Sequence, residues 1–181
     1  LNYSWSNLAT TQSITITNAG TYTLTVTNSN GCSAVSTSLT VTVHSLPLAA
    51  ITPDGATSFC AGGNVTLAAA ANTSYRWSNS LTTQSITVNQ SGNYVVTVTD
   101  ANTCSNTATV AVQVYSLPDI SVSTNKPTTI CPGDSVALTA AAGLNYHWCT
   151  GATTQTIKAL TNGSFTVTVT DANSCTATSA I

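Results

Sequence analysis

Three stretches of this chain spell nearly the same thirteen residues: GTYTLTVTNSNGC from Gly20, GNYVVTVTDANTC from Gly92 and GSFTVTVTDANSC from Gly163. Within each, apolar residues alternate with threonine or its like. In the first, Tyr22, Leu24 and Val26 fall on one face and Thr21, Thr23, Thr25 and Thr27 on the other. A period of two marks a half-buried strand, because successive side chains of an extended backbone point to opposite faces. Threonine is β-branched and suits a solvated pleated surface. The same alternation runs through Val65/Leu67, Tyr75/Trp77, Ile86/Val88 and Val110/Val112/Val114. Turn-forming clusters (AGGN, SNSLTTQ, NQSG, TDANT) separate these runs, and no segment has helical spacing. The expected class is all-β, built from small β-sandwiches.

The phrase belongs to a longer repeat. Trp5, Trp77 and Trp148 stand 72 and 71 residues apart, as do Cys32, Cys104 and Cys175. A second cysteine recurs as Cys60 and Cys131, in FCAGGNVTL and ICPGDSVAL. HSLP at 44–47 and YSLP at 115–118 mark the boundaries. The expected division is a partial first repeat over 1–45, a complete one over 46–116, and a third over 117–181 lacking its last strand. A chain that starts and stops in mid-repeat reads as a window on a longer array. The boundaries carry Leu-Pro and no Gly/Ser spacer, which favours a stiff, rod-like succession.

Composition narrows the function. Only 4% of the 181 residues are charged, the net charge is −2, and glutamate is absent. Without a basic patch there is no footprint for nucleic acid, whose phosphates supply most of that affinity. No apolar run approaches the roughly 18 residues of a membrane span.

The combination of a Tyr-x-Trp strand, a Thr-Thr-Gln-[Ser/Thr]-Ile strand and a Gly-x-aromatic strand ending in Thr-[Asp/Asn]-x-Asn-x-Cys resembles a known family. It is similar to the Ig-like and PKD-like repeats of very large secreted surface proteins of Bacteroidetes-type bacteria, gliding-motility adhesins among them. The resemblance spans the whole chain. It implies immunoglobulin-like sandwiches, export to the cell surface and a structural or adhesive role. It transfers no catalytic residue.

Six cysteines in an exported chain suggest disulfides. Cys60 and Cys104 are 44 residues apart, as are Cys131 and Cys175, at equivalent places. Each pair is expected to close one repeat, the alternative being thiols buried as small hydrophobes. Cys32 would then take a partner upstream of Leu1. Cys149 stands where the other repeats have Ser6 and Ser78, and should face outward. It is either an intermolecular or reactive thiol or an inconsequential replacement of serine.

Other chemistry has weak support. Asp100 and Asp171 are matched by Asn28 in the first repeat, so a side-chain cap on a tight turn is favoured over calcium, with Asn30, Asn102 and Asn173 in the left-handed position. His44 and His147 are the only histidines, and neither sits near a nucleophile-elbow sequence. No set of residues has metal-ligand spacing, so no metal or cofactor is expected. The aromatics repeat at inward positions, except Phe59 and Tyr115, so a sugar-stacking platform is disfavoured against core packing. The DSV sequence around Ser135 resembles an O-glycosylation site of the same bacterial group. The threonine rows read as solvated strand surface in preference to an ice-binding face.

The expected function is a structural repeat of a long extracellular filament or adhesin stalk. Its partners would be neighbouring copies, associating through neutral threonine-rich strands. The alternatives are an adhesin module that binds a ligand or surface glycan, and an accessory module of a secreted enzyme.

Overall fold

The computed structural model describes residues 1–141 and 145–180. These residues form strands and turns, with no helix among them. The first segment carries β1 (Asn2–Trp5), β2 (Gly20–Tyr22), β3 (Leu24–Thr27), β4 (Ser33–Val35) and β5 (Leu39–Val41). The middle segment carries β6 (Ile51–Pro53), β7 (Ser58–Cys60), β8 (Val65–Ala69), β9 (Ser74–Trp77), β10 (Ser85–Val88), β11 (Gly92–Thr99) and β12 (Ser105–Tyr115). The third carries β13 (Val122–Thr124), β14 (Val136–Ala140), β15 (Asn145–Trp148), β16 (Thr156–Ala159), β17 (Thr166–Thr170) and β18 (Thr176–Ala180). The closing strand of the third repeat is therefore present over its first half, as β18 paired with β17.

In the middle segment one sheet runs β10-β8-β6 and the other β7-β12-β11-β9. The third segment repeats the plan with β13-β14-β16 and β15-β17-β18. This is the immunoglobulin-like arrangement, with a short first strand that switches sheets to pair parallel with the last, Gln113–Tyr115 against Ser58–Cys60.

Period-two patterning explains the packing. Val65, Leu67 and Ala69 of β8 face Trp77, Val96, Val98 and Val112 from the opposite sheet, with Ile86 and Val88 beside them. Val136, Leu138, Ala140, Trp148, Ile157, Ala159, Val167 and Val169 form the corresponding core of the third segment. No polar residue is buried. Truncating one of the large buried side chains should cost about 2–5 kcal/mol, since the cavity term adds to lost transfer energy.

By its contacts the chain divides into two units. One comprises Leu1–Pro47 with Thr99–Ser105, the other Leu48–Val98 with Asn106–Ile181. The hairpin tip ending β11 therefore groups with the first segment.

Candidate functional site

The repeated motifs resolve into two turns. In the first, each tryptophan indole donates to a backbone carbonyl six residues on: Trp5 to Thr11, Trp77 to Thr83 and Trp148 to Thr154, all at 2.9 Å. The following glutamine side chain donates to the neighbouring strand, Gln84 to Ala69 and Gln155 to Ala140. That is the physical content of the Thr-Thr-Gln motif. In the second turn, a side-chain oxygen accepts two backbone N–H bonds. Asn28 holds Asn30 and Cys32, Asp100 holds Asn102 and Cys104, and Asp171 holds Asn173 and Cys175, at 2.8–2.9 Å. The capping role expected of these residues is what the structure shows. The left-handed residue is not the asparagine, however. It is the next one, Gly31 (φ 81°), Thr103 (φ 65°) or Ser174 (φ 63°). The sequence held a signal for this in Gly31, since glycine alone adopts that conformation without a Cβ penalty.

These hairpins present the closing cysteines, and here the expected pairing is corrected. Cys60 is bonded to Cys175, with Cα atoms 5.5 Å apart and 115 residues between them in sequence. Cys104 and Cys131 are free thiols, as are Cys32 and Cys149. Strand register gives the reason. Cys60 lies beside Tyr115, the last residue of β12, whereas Cys104 immediately precedes the first residue of that strand. Eleven residues of β12 at about 3.3 Å each put the two positions roughly 35 Å apart, against the limit of about 7 Å for a disulfide. A bond within the repeat is excluded, and one from the middle repeat to the closing hairpin of the third takes its place. Spacing could not reveal this, because equal sequence separation says nothing about which end of a sandwich a loop occupies.

Cys149 does the work of the serine it replaces. Its sulfur accepts the Thr166 N–H at 3.4 Å, as Ser6 Oγ accepts from Thr23 and Ser78 Oγ from Val95, both at 3.2 Å. It is exposed, as expected. Ser135 is half-buried, and its N–H donates to Asp134 at 2.8 Å. Asp134 also meets Lys126 at 2.8 Å, and these bonds hold its carboxyl below the usual carboxylate value. His44 and His147 are exposed and in different segments. Phe59 packs on the middle core, and Tyr115 is half-buried.

A groove of about 520 Å³ lies in the third segment between Ile130, Cys131, Val136, Leu138 and Phe165. The equivalent middle residues, Phe59, Cys60, Val65, Leu67 and Tyr94, lie around Val112 and Val114 of β12. The groove is thus the bed of a closing strand, not a ligand pocket.

The threonine faces are internally satisfied. Hydroxyls pair across neighbouring strands at Thr21–Thr40, Thr66–Thr87, Thr139–Thr156 and Thr168–Thr178, at 3.0–3.5 Å. The edges are less bare than the sequence suggested. Arg76 stands on edge strand β9 and Lys158 on edge strand β16, where a charge opposes strand addition. Among the described residues no group of three or more His, Cys, Asp or Glu side chains is placed to hold a metal, and no helix is long and apolar enough to cross a membrane.

The sheets and their connections define a protein of immunoglobulin-like β-sandwiches in series. No protein-family model matches the chain, and no curated protein matches it in sequence. Among solved structures it is similar to murine CEACAM1b, at 16% identity over 74% of this chain and 98% of that one, with a TM-score of 0.38. It is likewise similar to extracellular domains 3–5 of Drosophila OTK, at 15% identity over 90% and 69%, with a TM-score of 0.42. A third likeness is to a 1.5-MDa bacterial ice-binding adhesin described for its host cell surface retention, at 16% identity over 88% and 71%, with a TM-score of 0.36. At these values the likenesses carry no conclusion about a ligand.

Proposed function

We propose that this chain is a structural repeat of a long extracellular filament or cell-surface adhesin stalk. In this reading it comprises three immunoglobulin-like repeats, over 1–45, 46–116 and 117–181, set in series as a rod. Its partners are neighbouring copies that meet through neutral threonine-bearing faces. The observation that carries the reading is the Cys60–Cys175 bond. A disulfide inside one sandwich would only stabilise that sandwich. One that fastens a sandwich to the closing hairpin of the next makes the succession of repeats continuous under tension. A disulfide of this kind fits an oxidising compartment outside the cytosol. The near-absence of charge supports lateral contact, because little desolvated charge opposes it. With Arg76 and Lys158 on two of the edges, the sheet faces are the better candidates for that contact.

The reading is tested by electron microscopy and sedimentation velocity of the chain across a concentration series. Association without reductant should rise with concentration. Replacing exposed Thr107 and Thr109 of β12 by lysine should suppress it at least tenfold. A parent chain that stays monomeric at every concentration, with no lateral contact in images, overturns the lateral-association part of the proposal.

A further inference from the structure

The Cys60–Cys175 bond relates two positions of the repeat. Cys60 is an opening cysteine, in Phe-Cys-Ala-Gly, and Cys175 is a closing cysteine, at the end of Thr-Asp-Ala-Asn-Ser-Cys. The bond therefore runs from the opening cysteine of one repeat to the closing cysteine of the next. Shifted along the chain by one repeat, the same relation accounts for three of the four free thiols. Cys131, in Ile-Cys-Pro-Gly, is an opening cysteine, and Cys32 and Cys104 are closing ones. A second observation agrees. The Thr99–Ser105 hairpin, which carries Cys104, groups with the first segment, just as the Cys175 hairpin is bonded to the middle segment.

We propose that Cys131 and Cys32 are the two unfilled ends of this staple, so that the partner of the Cys131 loop is the Asn28–Cys32 hairpin of a second copy of the chain. Both cysteines are exposed. The Asn28–Cys32 hairpin is built as the bonded one is, with Asn28 N–H donating to Cys32 O at 3.0 Å, as Asp171 N–H does to Cys175 O. Its side-chain cap also matches, residue for residue. Neither the Cys131 loop through Gly133 nor this hairpin carries a charge, so nothing electrostatic opposes their approach. Two thiols lose two protons and two electrons to a disulfide oxidant such as oxidised glutathione, which departs as two thiols. One end differs from the other, so the contact is heterologous and copies add head to tail without closing by symmetry. The staple does not depend on lateral contact through the threonine faces.

The test is the chain itself at high concentration in a glutathione redox buffer, resolved on non-reducing gels and mapped by mass spectrometry after peptic digestion. The expected result is a ladder of covalent oligomers and a cross-linked peptide holding Cys32 and Cys131, beside the Cys60–Cys175 peptide. Cys131→Ser and Cys32→Ser should each reduce the ladder at least tenfold while keeping the parent circular dichroism. Mixing those two variants should restore dimers and nothing longer, because only one complementary pair of ends remains. Cys149→Ser and Cys104→Ser should leave the ladder intact. A ladder that survives in Cys131→Ser or Cys32→Ser, or disappears in Cys149→Ser, overturns the proposal. So does a chain that stays monomeric with Cys60–Cys175 formed, or a map showing Cys60–Cys104 and Cys131–Cys175.

Discussion

Trp5 and Trp77 occupy the same place in two copies of one phrase, and their fates differ. The local chemistry is the same. Each indole makes its 2.9 Å bond, each preceding strand ends in a turn with a left-handed residue (Leu8 at φ 72°, Ser80 at φ 70°), and Ser6 and Ser78 make the same cross-strand bond. Yet Trp77 is 2% exposed, while Trp5 is only half-buried and no residue of the first segment is fully buried. The middle segment has β6, β7 and β8 to cover its tryptophan, and the first segment holds no counterpart of them in this sequence. Counted back from the shared Ser-Leu-Pro, Leu39 and Val43 correspond to Val110 and Val114. The former pair are 66% and 56% exposed, whereas the latter pack on the core. The phrase is therefore sufficient for turns and strand register, and insufficient for a core.

The comparison yields its largest effect at the tryptophans. Trp77→Ala should cost about 3–5 kcal/mol, the usual range for a buried aromatic. Trp5→Ala should cost about 1 kcal/mol, the worth of one hydrogen bond and some partial burial. Urea unfolding followed by circular dichroism reads both, and equal losses would break the comparison.

Next come the cysteines. Cys60→Ser or Cys175→Ser should lower stability by about 2–4 kcal/mol under oxidising conditions, by releasing the loop the bond closes. Cys104→Ser should change it by less than about 0.5 kcal/mol, since that thiol is unbonded. The same ordering measured in the presence of reductant would contradict the assignment, because the first two variants should then match the parent.

The hairpins should respond alike in both regions. Asp100→Ala and Asn28→Ala each strip the acceptor from two backbone N–H groups, at a cost of about 1–2 kcal/mol. Amide exchange at Asn102 and Cys104, and at Asn30 and Cys32, should accelerate in the respective variants. Smaller still is the left-handed residue. Thr103→Gly should gain about 0.5–1 kcal/mol by removing a β-branched side chain from positive φ, and Gly31→Thr should lose about as much.

What the sequence made legible follows from what is local. Alternation of Val65, Leu67 and Ala69 marked β8 and its inward face, and the Asn28/Asp100/Asp171 series marked the capped turn, because both depend on residues close in the chain. Two things were not legible. Which end of a sandwich carries Cys60 depends on the parallel pairing of β7 with the far end of β12, a contact between residues more than fifty positions apart. The breaks in the first segment, β2 from β3 and β4 from β5, were also missed. From Cys32 to Pro47 that segment has one residue more than Cys104 to Pro118 has, and it interrupts its pairing around Ser36, whose Oγ accepts the Leu24 N–H at 3.0 Å.

The smallest contrast concerns acid. The first segment, through Pro47, contains no carboxylate side chain, whereas the third places Asp134 against Lys126. The Lys126 hydrogen bond, the Ser135 N–H and the lysine charge hold the folded carboxyl below its ordinary value of 3.8. A lowered folded value means the interaction contributes fully above that ordinary value and is lost as pH falls through the folded one. Thermal unfolding should therefore be flat from neutral pH to about pH 5 and should decline slightly below about pH 4, where the unfolded carboxyl binds its proton more readily. Because the pair is exposed, the decline should be small, and Asp134→Asn should lessen it. Amide exchange in the Asn28–Cys32 hairpin should show no carboxylate-dependent change over the same range, since Asn28 makes with a neutral amide the bonds that Asp171 makes with a carboxylate. A hairpin in the first segment that loosens as steeply with acid as the third would mean the contrast lies in the whole chain's unfolding, and not in these side chains.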